Sequence, residues 1–265
     1  MNFQRSDYRI PILEDFYNHF NEDIRLQRRH GQVEFQTNLK YIHDVLNNDK
    51  SKRVLDIGAG TGAYSVYLDK EGYKVDAVEL VKHNIDVFKK KGSSVNIIQG
   101  NALDLNMFED NTFDVTLLFG PMYHLLKEEE KLKALSEAKR VTKKGGTILV
   151  SYYMNDYAVL TYGFLKQHIL ESKANGQIDE NYHIVAQDGD LYSMVRLEDI
   201  NEFNKKTDLT RIKIIASDGA SDYIRTPLNK LSEEEFNEFL KYHLSICERP
   251  DMLGASSHLL DIVTK

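Results

Sequence analysis

The chain has 265 residues, with 34 Lys and Arg against 41 Asp and Glu, so its formal net charge at pH 7 is −7. This acidic balance argues against a surface dedicated to coating DNA or RNA, because such binding needs clustered cations. Hydrophobic residues make up 42% and charged residues 28%, which is typical of a folded globular protein. The single cysteine, Cys247, excludes an internal disulfide and fits a reducing cytosol.

The N-terminal residues lack the apolar stretch of a signal peptide. No run of residues reaches the ~20 apolar residues that a membrane span needs. We therefore expect a cytoplasmic protein that does not cross a membrane.

Residues 1–50 are predicted to form a helical cap. Apolar residues recur at helical spacing from Phe16 to Leu46. Gly31 is expected to divide this segment into two helices, and the polar run 47–49 is expected to end the second helix.

Strands and helices alternate from residue 53 onward. Such alternation is typical of βαβ units, in which the strands are parallel and buried. Residues 51–153 and 195–265 are therefore expected to form an α/β core. Its first part has predicted strands at 54–57, 73–79, 94–99, 113–119 and 146–153, and predicted helices at 62–71, 81–91 and 127–142.

Residues 154–194 interrupt the alternation and are predicted to be an inserted lid. A Tyr-rich helix is expected at 157–170, a polar turn near 174–176 and a strand-like segment at 190–196. Ser232 and Glu235 have the spacing of a capping box at the start of the last helix. After the lid we expect helices at 197–206 and 231–247, and strands at 210–217 and 257–263.

A glycine-rich segment, Val54-Leu55-Asp56-Ile57-Gly58-Ala59-Gly60-Thr61-Gly62, runs from a predicted strand into a predicted helix. Glycines let the backbone approach a ligand closely, and a helix start offers unpaired N–H groups. A tight connection between strand and helix needs glycine in any case. The spacing Gly-x-Gly-x-Gly differs from the Gly-x-Gly-x-x-Gly of dinucleotide-binding proteins, which argues against a nicotinamide oxidoreductase.

Two further segments follow the next predicted strands. Glu79 ends the second strand, about 20 residues after the turn, where a carboxylate can accept hydrogen bonds from both hydroxyls of a ribose. The third strand runs into Gly100-Asn101-Ala102-Leu103-Asp104, at an edge of the sheet where an adenine ring could bind.

In this order, the segments resemble the class I S-adenosylmethionine-dependent methyltransferases. The resemblance also includes Phe113-Asp114 and the 137–146 stretch, and it covers residues 53–153. It implies an α/β fold in three layers, with a Rossmann-like sheet of seven mostly parallel strands whose last strand is antiparallel. It also implies S-adenosylmethionine as the methyl donor and S-adenosylhomocysteine as the product.

The resemblance implies binding roles for residues around the turn. Asp56 and the backbone of Gly58, Ala59 and Gly60 would hold the methionine part of the donor. Glu79 would bind the ribose hydroxyls. The full set implied at these positions is Asp56, Gly58, Ala59, Gly60, Thr61, Gly62, Glu79 and Leu80, the last packing against the adenine.

The same resemblance implies contacts from two later segments. Asn101, Ala102 and Leu103 would lie along the adenine edge, although many members have Asp where this chain has Asn101. The backbone at Phe119 and Gly120 would lie beside the methyl group.

Tyr123 and His124 follow the fourth strand, where the family places methyl donor and acceptor, and they are the candidate catalytic residues. His124 is the candidate general base, because histidine exchanges a proton near neutral pH. It could equally cap backbone groups or orient Tyr123. The segment lacks the Asn/Asp-Pro-Pro-Tyr/Phe pattern of enzymes that methylate amino groups of nucleic acids.

Arg25 and Arg29, which lie in the predicted cap with Tyr17, are candidates for binding the carboxylate of the donor. They could equally be paired with nearby acids on a solvated helix face. The tyrosines of the lid suit a small acceptor that is partly apolar or cationic, or they pack the lid on the sheet.

These features predict methyl transfer to oxygen, nitrogen or sulfur of a small molecule by a monomer or homodimer. Nucleic acid is not an expected partner. The alternatives are a methyltransferase acting on RNA or protein, and a non-catalytic protein of this fold that binds an adenosine ligand. No cluster of His or Cys has the spacing of metal ligands, so we expect no metal site.

Overall fold

The computed structural model describes residues 9–19 and 22–265, so residues 1–8, 20 and 21 of the predicted cap lie outside the described part. Its strands are β1 (Arg53–Ile57), β2 (Lys74–Glu79), β3 (Asn96–Gln99), β4 (Phe113–Leu118), β5 (Thr142–Tyr153), β6 (Thr210–Ala216) and β7 (His258–Thr264). They form one sheet in the order β3-β2-β1-β4-β5-β7-β6. β7 pairs antiparallel with β5 and β6, and the other pairings are parallel. The predicted fold class is confirmed.

Helices cover both faces of the sheet. They are α1 (Ile10–His19), α2 (Glu22–Gln27), α3 (Arg29–Leu46), α4 (Ala63–Lys70), α5 (Lys82–Lys89), α6 (Pro121–His124), α7 (Glu128–Val141), α8 (Asn155–Ala158), α9 (Ile169–Ala174), α10 (Leu197–Thr207), α11 (Arg225–Leu228) and α12 (Glu233–Ile246). A π-helix at Val159–Leu165 follows α8, and a 3₁₀ segment at Pro250–Ala255 precedes β7. None of the described helices is both long and apolar enough to cross a membrane.

The apolar run of β1 is explained by burial on both faces. Val54 belongs to a buried cluster with Ile42 of α3 and Leu68 of α4. Its neighbour Leu55 belongs to the cluster on the opposite face, with Leu135 of α7. Successive strand residues point to opposite faces, so a strand covered on both sides needs apolar residues throughout.

The fifth strand starts four residues earlier than expected, at Thr142 instead of residue 146. Thr142 pairs with Phe113, and the register shifts before Val115 pairs with Thr147. The irregularity accommodates a turn at Gly145, whose φ is +74°.

The capping box predicted for the last helix is confirmed. Ser232 Oγ accepts from the Glu235 N–H at 3.2 Å, and the Glu235 carboxylate accepts from the Ser232 N–H at 2.7 Å.

The prediction that Gly31 divides the N-terminal helices is wrong. The break is at Arg28, which has an extended backbone (φ −73°, ψ 148°), and Gly31 lies in the first turn of α3. A Cβ atom at Gly31 would lie 2.2 Å from the Arg25 carbonyl oxygen. Gly31 is needed for the close contact of α3 with the preceding helix α2.

The lid differs from its prediction in two places. The helix expected at 157–170 is three pieces, since the π-helix separates α8 from α9 and Gln167 has a positive φ of 63°. The segment 190–196 forms no strand, and its Val195 makes an isolated bridge to Met154. The carbonyls of Asp190 and Leu191 accept hydrogen bonds from side chains instead of from a neighbouring strand.

Replacement of Gly31 by Ala should destabilise the protein by about 1–3 kcal/mol, the range for overpacking a close contact. This direction is opposite to the gain of up to ~1 kcal/mol that Gly→Ala gives in an unobstructed helix. Gly254→Ala is the matched control, because nothing lies within 4 Å of its Cβ position. Urea unfolding of both variants checks this, and a Gly31→Ala protein as stable as the wild type contradicts it.

Candidate active site

The turn after β1 is held by backbone hydrogen bonds to the neighbouring strand. The Val78 carbonyl accepts from the N–H groups of Gly58 and Ala59 at 2.8 and 3.1 Å. Gly58, Gly60 and Gly62 all have positive φ. A Cβ at Gly58 would lie 2.5 Å from Pro121 Cδ, and one at Gly62 would lie 2.6 Å from the Phe88 ring, whereas the Gly60 position is open. Two of the glycines are therefore fixed by packing, and Gly60 leaves space for a ligand.

Glu79 connects this turn to the start of α5. Its carboxylate is buried and accepts from the N–H groups of Gly60 and Val81, both at 2.8 Å, and from the Asn84 amide at 3.3 Å. Burial raises the pKa of Glu79, and these hydrogen bonds oppose the rise. The carboxylate is thus oriented at the carboxyl end of β2 before any ligand arrives.

Gly60 and Glu79 border a small cavity that we call the turn cavity, of about 100 Å³. It extends under α1 and reaches the end of β4. The sequence-predicted residues that line it are Tyr17, Gly58, Gly60, Glu79, Leu80, Asn101, Ala102, Leu103, Gly120 and His124.

Other predicted residues do not line the turn cavity. Ala59, Thr61 and Gly62 belong to the turn but face elsewhere. The buried Phe119 ring packs edge-on against Tyr64 at 5.0 Å between ring centres. Asp56 is buried and accepts from Ser65 Oγ at 2.6 Å, and burial raises its pKa to about 6.

Asn101 stabilises the loop after β3. Its side-chain oxygen accepts from the Leu103 N–H at 3.0 Å. This short-range bond fixes the loop that forms one wall of the turn cavity.

His124 is held between two partners. Its Nδ1 faces the Leu191 carbonyl at 3.0 Å, so Nδ1 carries the proton, and Nε2 accepts from the Tyr17 hydroxyl at 2.8 Å. Burial lowers the pKa of His124 to about 4. The ring is therefore neutral at pH 7, and its lone pair is occupied by Tyr17.

Arg9 is a residue of the turn cavity that sequence reasoning missed. Its Nη2 donates to the carbonyls of Asp190 and Leu191 at 2.8 and 3.3 Å. Nε and Nη1 are buried without a hydrogen-bond partner among the described residues, although the side chain lines the cavity. No motif surrounds Arg9 in the sequence, so only the fold reveals it.

A larger cavity of about 520 Å³ lies beside the turn cavity, and we call it the tyrosine chamber. Tyr17 lines both cavities. Tyr123 faces the chamber, whereas the next residue, His124, faces the turn cavity. The other tyrosines of the chamber are Tyr153, Tyr157 and Tyr192.

The two arginines predicted to bind a carboxylate have protein partners. Arg25 lines the chamber and forms an ion pair with the buried Glu34 at 2.7 Å. Arg29 lines neither cavity, because its guanidinium donates to the Ser232 carbonyl at 3.0 Å and lies over the Phe236 ring.

Asp218 and His258 form a buried pair on the chamber wall. Asp218 Oδ2 accepts from His258 Nδ1 at 2.8 Å and from Ser257 Oγ. Its Oδ1 accepts from Ser256 Oγ at 2.7 Å and from the backbone N–H groups of Ser257 and His258 at 3.0 Å. Burial alone would raise the pKa of Asp218, but His258 and these bonds lower it to about 2.

This pair is the main feature that the sequence did not indicate. Asp218 follows β6 and His258 opens β7, and antiparallel neighbours bring these two ends together. The pair could have been predicted from the sequence only if β6 and β7 had been recognised as neighbouring antiparallel strands. The donor atoms of Glu34, Asp218 and His258 also lie within 4.8 Å of one another, a grouping of the described residues that could hold a metal ion. The five hydrogen bonds on Asp218 already satisfy its carboxylate.

The chain is similar to known methyltransferases in sequence and in fold. Residues 55–150 match the model of a methyltransferase domain. A demethylmenaquinone methyltransferase of Renibacterium salmoninarum is 36% identical over 115 residues, which cover 43% of this chain and 46% of that protein. The chain spans about half the length of the curated relatives that it matches.

Solved structures share the fold. A methyltransferase of Thermotoga maritima, described as a possible histamine N-methyltransferase, has a TM-score of 0.59 at 21% identity, covering 96% of this chain and 99% of its own. Geranyl diphosphate C-methyltransferase of Streptomyces coelicolor, solved with Mg²⁺, geranyl diphosphate and S-adenosylhomocysteine, has a TM-score of 0.54 at 14% identity, covering 86% and 78%. At these identities the likeness concerns the fold.

The glycine turn, the sheet order and the matched domain all indicate the same class of protein. Residues 55–150 are a methyltransferase domain, which supports the predicted resemblance to the class I S-adenosylmethionine-dependent methyltransferases. The methyl donor of that family is S-adenosylmethionine.

The raised pKa of Asp56 has a consequence for stability. The folded state binds this proton more tightly than the unfolded state, so the contribution of Asp56 to stability rises as pH falls through about 6. Relative to Asp56→Asn, the wild type should gain about 2 kcal/mol between pH 7.5 and 4, from a shift of roughly 2 pKa units that is not fully expressed until the pH lies below the unfolded value. Urea unfolding across this range measures the difference, with Asp44→Asn, an exposed site, as control. A difference that is independent of pH contradicts the assignment.

Proposed function

We propose that this protein transfers the methyl group of S-adenosylmethionine to a small molecule held in the tyrosine chamber. The observation that carries the proposal is the contact between the two cavities, which share Tyr17 and are divided by Tyr123 and His124. A donor in the turn cavity and an acceptor in the chamber would meet at this wall. Holding two reactants in line supplies on the order of 7–11 kcal/mol of the barrier to such a transfer.

The donor side is supported by the chemistry of the turn cavity. Glu79 offers an oriented carboxylate to the ribose, Leu80 an apolar surface to the adenine, and Gly60 an open backbone to the methionine part. When bound, S-adenosylmethionine supplies an activated methyl group, and the residues of the chain bind and orient it. The cavity of about 100 Å³ is smaller than the ~300–1,000 Å³ of typical ligand pockets, so it must widen when the donor binds.

Roles for the remaining predicted residues follow from the same proposal. Asn101, Ala102 and Leu103 line the cavity where the adenine edge would lie, and Gly120 lines it at the end of β4. Tyr123 and His124 form the wall beside the transferred methyl group. We assign His124 a positioning role, because its lone pair is taken by Tyr17 and a base works best with a pKa near the working pH.

We further propose that Arg9, not Arg25 or Arg29, binds the carboxylate of the donor. Arg9 is buried on the turn cavity with two nitrogens that have no partner among the described residues. Arg25 is already paired with Glu34, and Arg29 is remote. A guanidinium with unpaired donors in a buried site favours a carboxylate partner.

The acceptor side is supported by the lining of the chamber. A volume of about 520 Å³ suits a small molecule, and five tyrosines suit one that carries a ring or an apolar body. The cations are mostly neutralised, since Arg25 pairs with Glu34 and Arg225 with Asp222 at 2.6 Å. The name of one relative, a demethylmenaquinone methyltransferase, also denotes an acceptor that carries a ring.

Replacement of Glu79 by Gln should weaken S-adenosylhomocysteine binding by roughly 1.5–3 kcal/mol, the range for hydrogen bonds to charged groups. This corresponds to about a 10- to 150-fold higher Kd at 1.4 kcal/mol per factor of ten. Calorimetric titration measures it, with the exposed Glu129→Gln as control. Unchanged affinity removes the ribose assignment.

The Arg9 assignment is tested with two ligands that differ in the carboxylate. Arg9→Gln should weaken S-adenosylhomocysteine binding by about 10- to 100-fold, the effect of losing a charged hydrogen bond, and should leave adenosine binding within about twofold. Arg29→Gln is the matched control and should change neither. Equal losses for both ligands would show a structural role for Arg9. A carboxylate-specific loss in Arg25→Gln would restore the hypothesis drawn from the sequence.

A further inference from the structure

We propose that His258, oriented by Asp218, is the general base that takes a proton from the acceptor in the tyrosine chamber. This inference rests on the proposed function, because it concerns the acceptor side of the same site. The acceptor class it implies is a molecule with an acidic hydroxyl, such as a phenol or an enol.

The hydrogen bonds of the pair determine which nitrogen of His258 serves the ligand. Asp218 binds Nδ1, and it is itself fixed by two serine hydroxyls and two backbone N–H groups. A carboxylate accepts only, so Nδ1 carries a proton, and in the neutral ring Nε2 carries the lone pair. Nε2 has no hydrogen-bond partner among the described residues, and His258 lines the chamber.

Aromatic contacts hold the ring in place and set its distance from the donor side. The His258 ring stacks on Tyr153 with 5.1 Å between ring centres and an angle of 19°. Tyr123 contacts His258 at 5.9 Å and His124 at 5.3 Å. Tyr123 therefore lies between His258 and His124, in the wall that divides the two cavities.

The charges around His258 favour proton uptake. Asp218 lies at 2.8 Å and Glu34 at 4.0 Å from Nδ1, while Arg25, paired with Glu34, opposes them. Burial lowers the pKa of His258, but the two carboxylates outweigh burial and raise it. The environment of His124 differs, because no carboxylate of the described residues raises its pKa and burial lowers it. Of His124 and His258, His258 has the stronger basicity and a lone pair that faces the chamber.

The chemical step balances with the donor as the only co-reactant. The acceptor hydroxyl gives its proton to His258 Nε2, and the imidazolium that forms is stabilised by Asp218. The acceptor oxygen bonds to the methyl carbon while the carbon–sulfur bond breaks, and that electron pair stays on sulfur. The proton then leaves His258 to water as the products depart.

The probe for the test is 4-nitrophenol, whose phenolate absorbs at a longer wavelength than the phenol. It is titrated with the full chain, with and without S-adenosylhomocysteine, at a pH where free probe is evenly divided between the two forms. Binding to the wild type should raise the phenolate-to-phenol ratio about tenfold, one pKa unit. His258→Asn should abolish this rise, and Asp218→Asn should reduce it.

Two controls separate the role of His258 from effects on folding. His168→Asn changes a lid histidine that lines neither cavity and bonds to Glu171, and it should behave as the wild type. Each variant should retain S-adenosylhomocysteine affinity within about twofold, which shows an intact turn cavity. NMR of the histidine nitrogens should show a protonated Nδ1 and an unprotonated Nε2 for His258 at alkaline pH.

Several results would overturn the proposal. An unchanged phenolate band in His258→Asn, a wild type that does not bind the probe, or an Nε2-protonated tautomer each excludes His258 as the base. Restoration of the band only by added divalent metal would assign Glu34, Asp218 and His258 to an ion instead. Failure of the wild type to bind S-adenosylhomocysteine would refute the proposed function separately, since the probe titration without that ligand still reports on His258.

Discussion

The close approach of the β1 and β4 ends is the constraint on which the site depends. A Cβ at Gly58 would clash with the Pro121 ring, and a Cβ at Gly120 would lie 3.1 Å from the Gly58 carbonyl oxygen. Because these backbones touch, the turn at Gly60 lies against Glu79. Both residues line the turn cavity. The same contact fixes the start of α6, so that Tyr123 faces the tyrosine chamber and His124 the turn cavity.

Features determined by neighbours in the sequence were predictable. β1 and the following glycines were found because a strand buried on both faces must be apolar and a tight turn needs positive φ. Gly31 was misinterpreted, because its reason is the carbonyl of Arg25 in a packed helix and not a turn. The π-helix of the lid could not be predicted either, because its irregular hydrogen bonds produce no periodic pattern of apolar residues in the sequence.

The parts of the site that were missed are non-local. Arg9 reaches the carbonyls of Asp190 and Leu191 across some 180 residues, and Asp218 reaches His258 across 40. Each contact depends on which strands and segments become neighbours in the fold. The spacing of residues in the sequence does not give this information. The two buried carboxylates show the physical consequence. The pKa of Asp56 is raised by burial, whereas the pKa of Asp218 is lowered because His258 and five hydrogen-bond donors stabilise its charged form.

The most direct measurement of the central claim is a crystal structure of the protein with S-adenosylhomocysteine. The account expects the adenosine against Leu80 and Glu79, a widened turn cavity, and the sulfur at the wall formed by Tyr123 and His124, facing the tyrosine chamber. A nucleoside bound in the tyrosine chamber, or a sulfur directed away from that wall, would contradict the assignment of donor and acceptor to the two cavities.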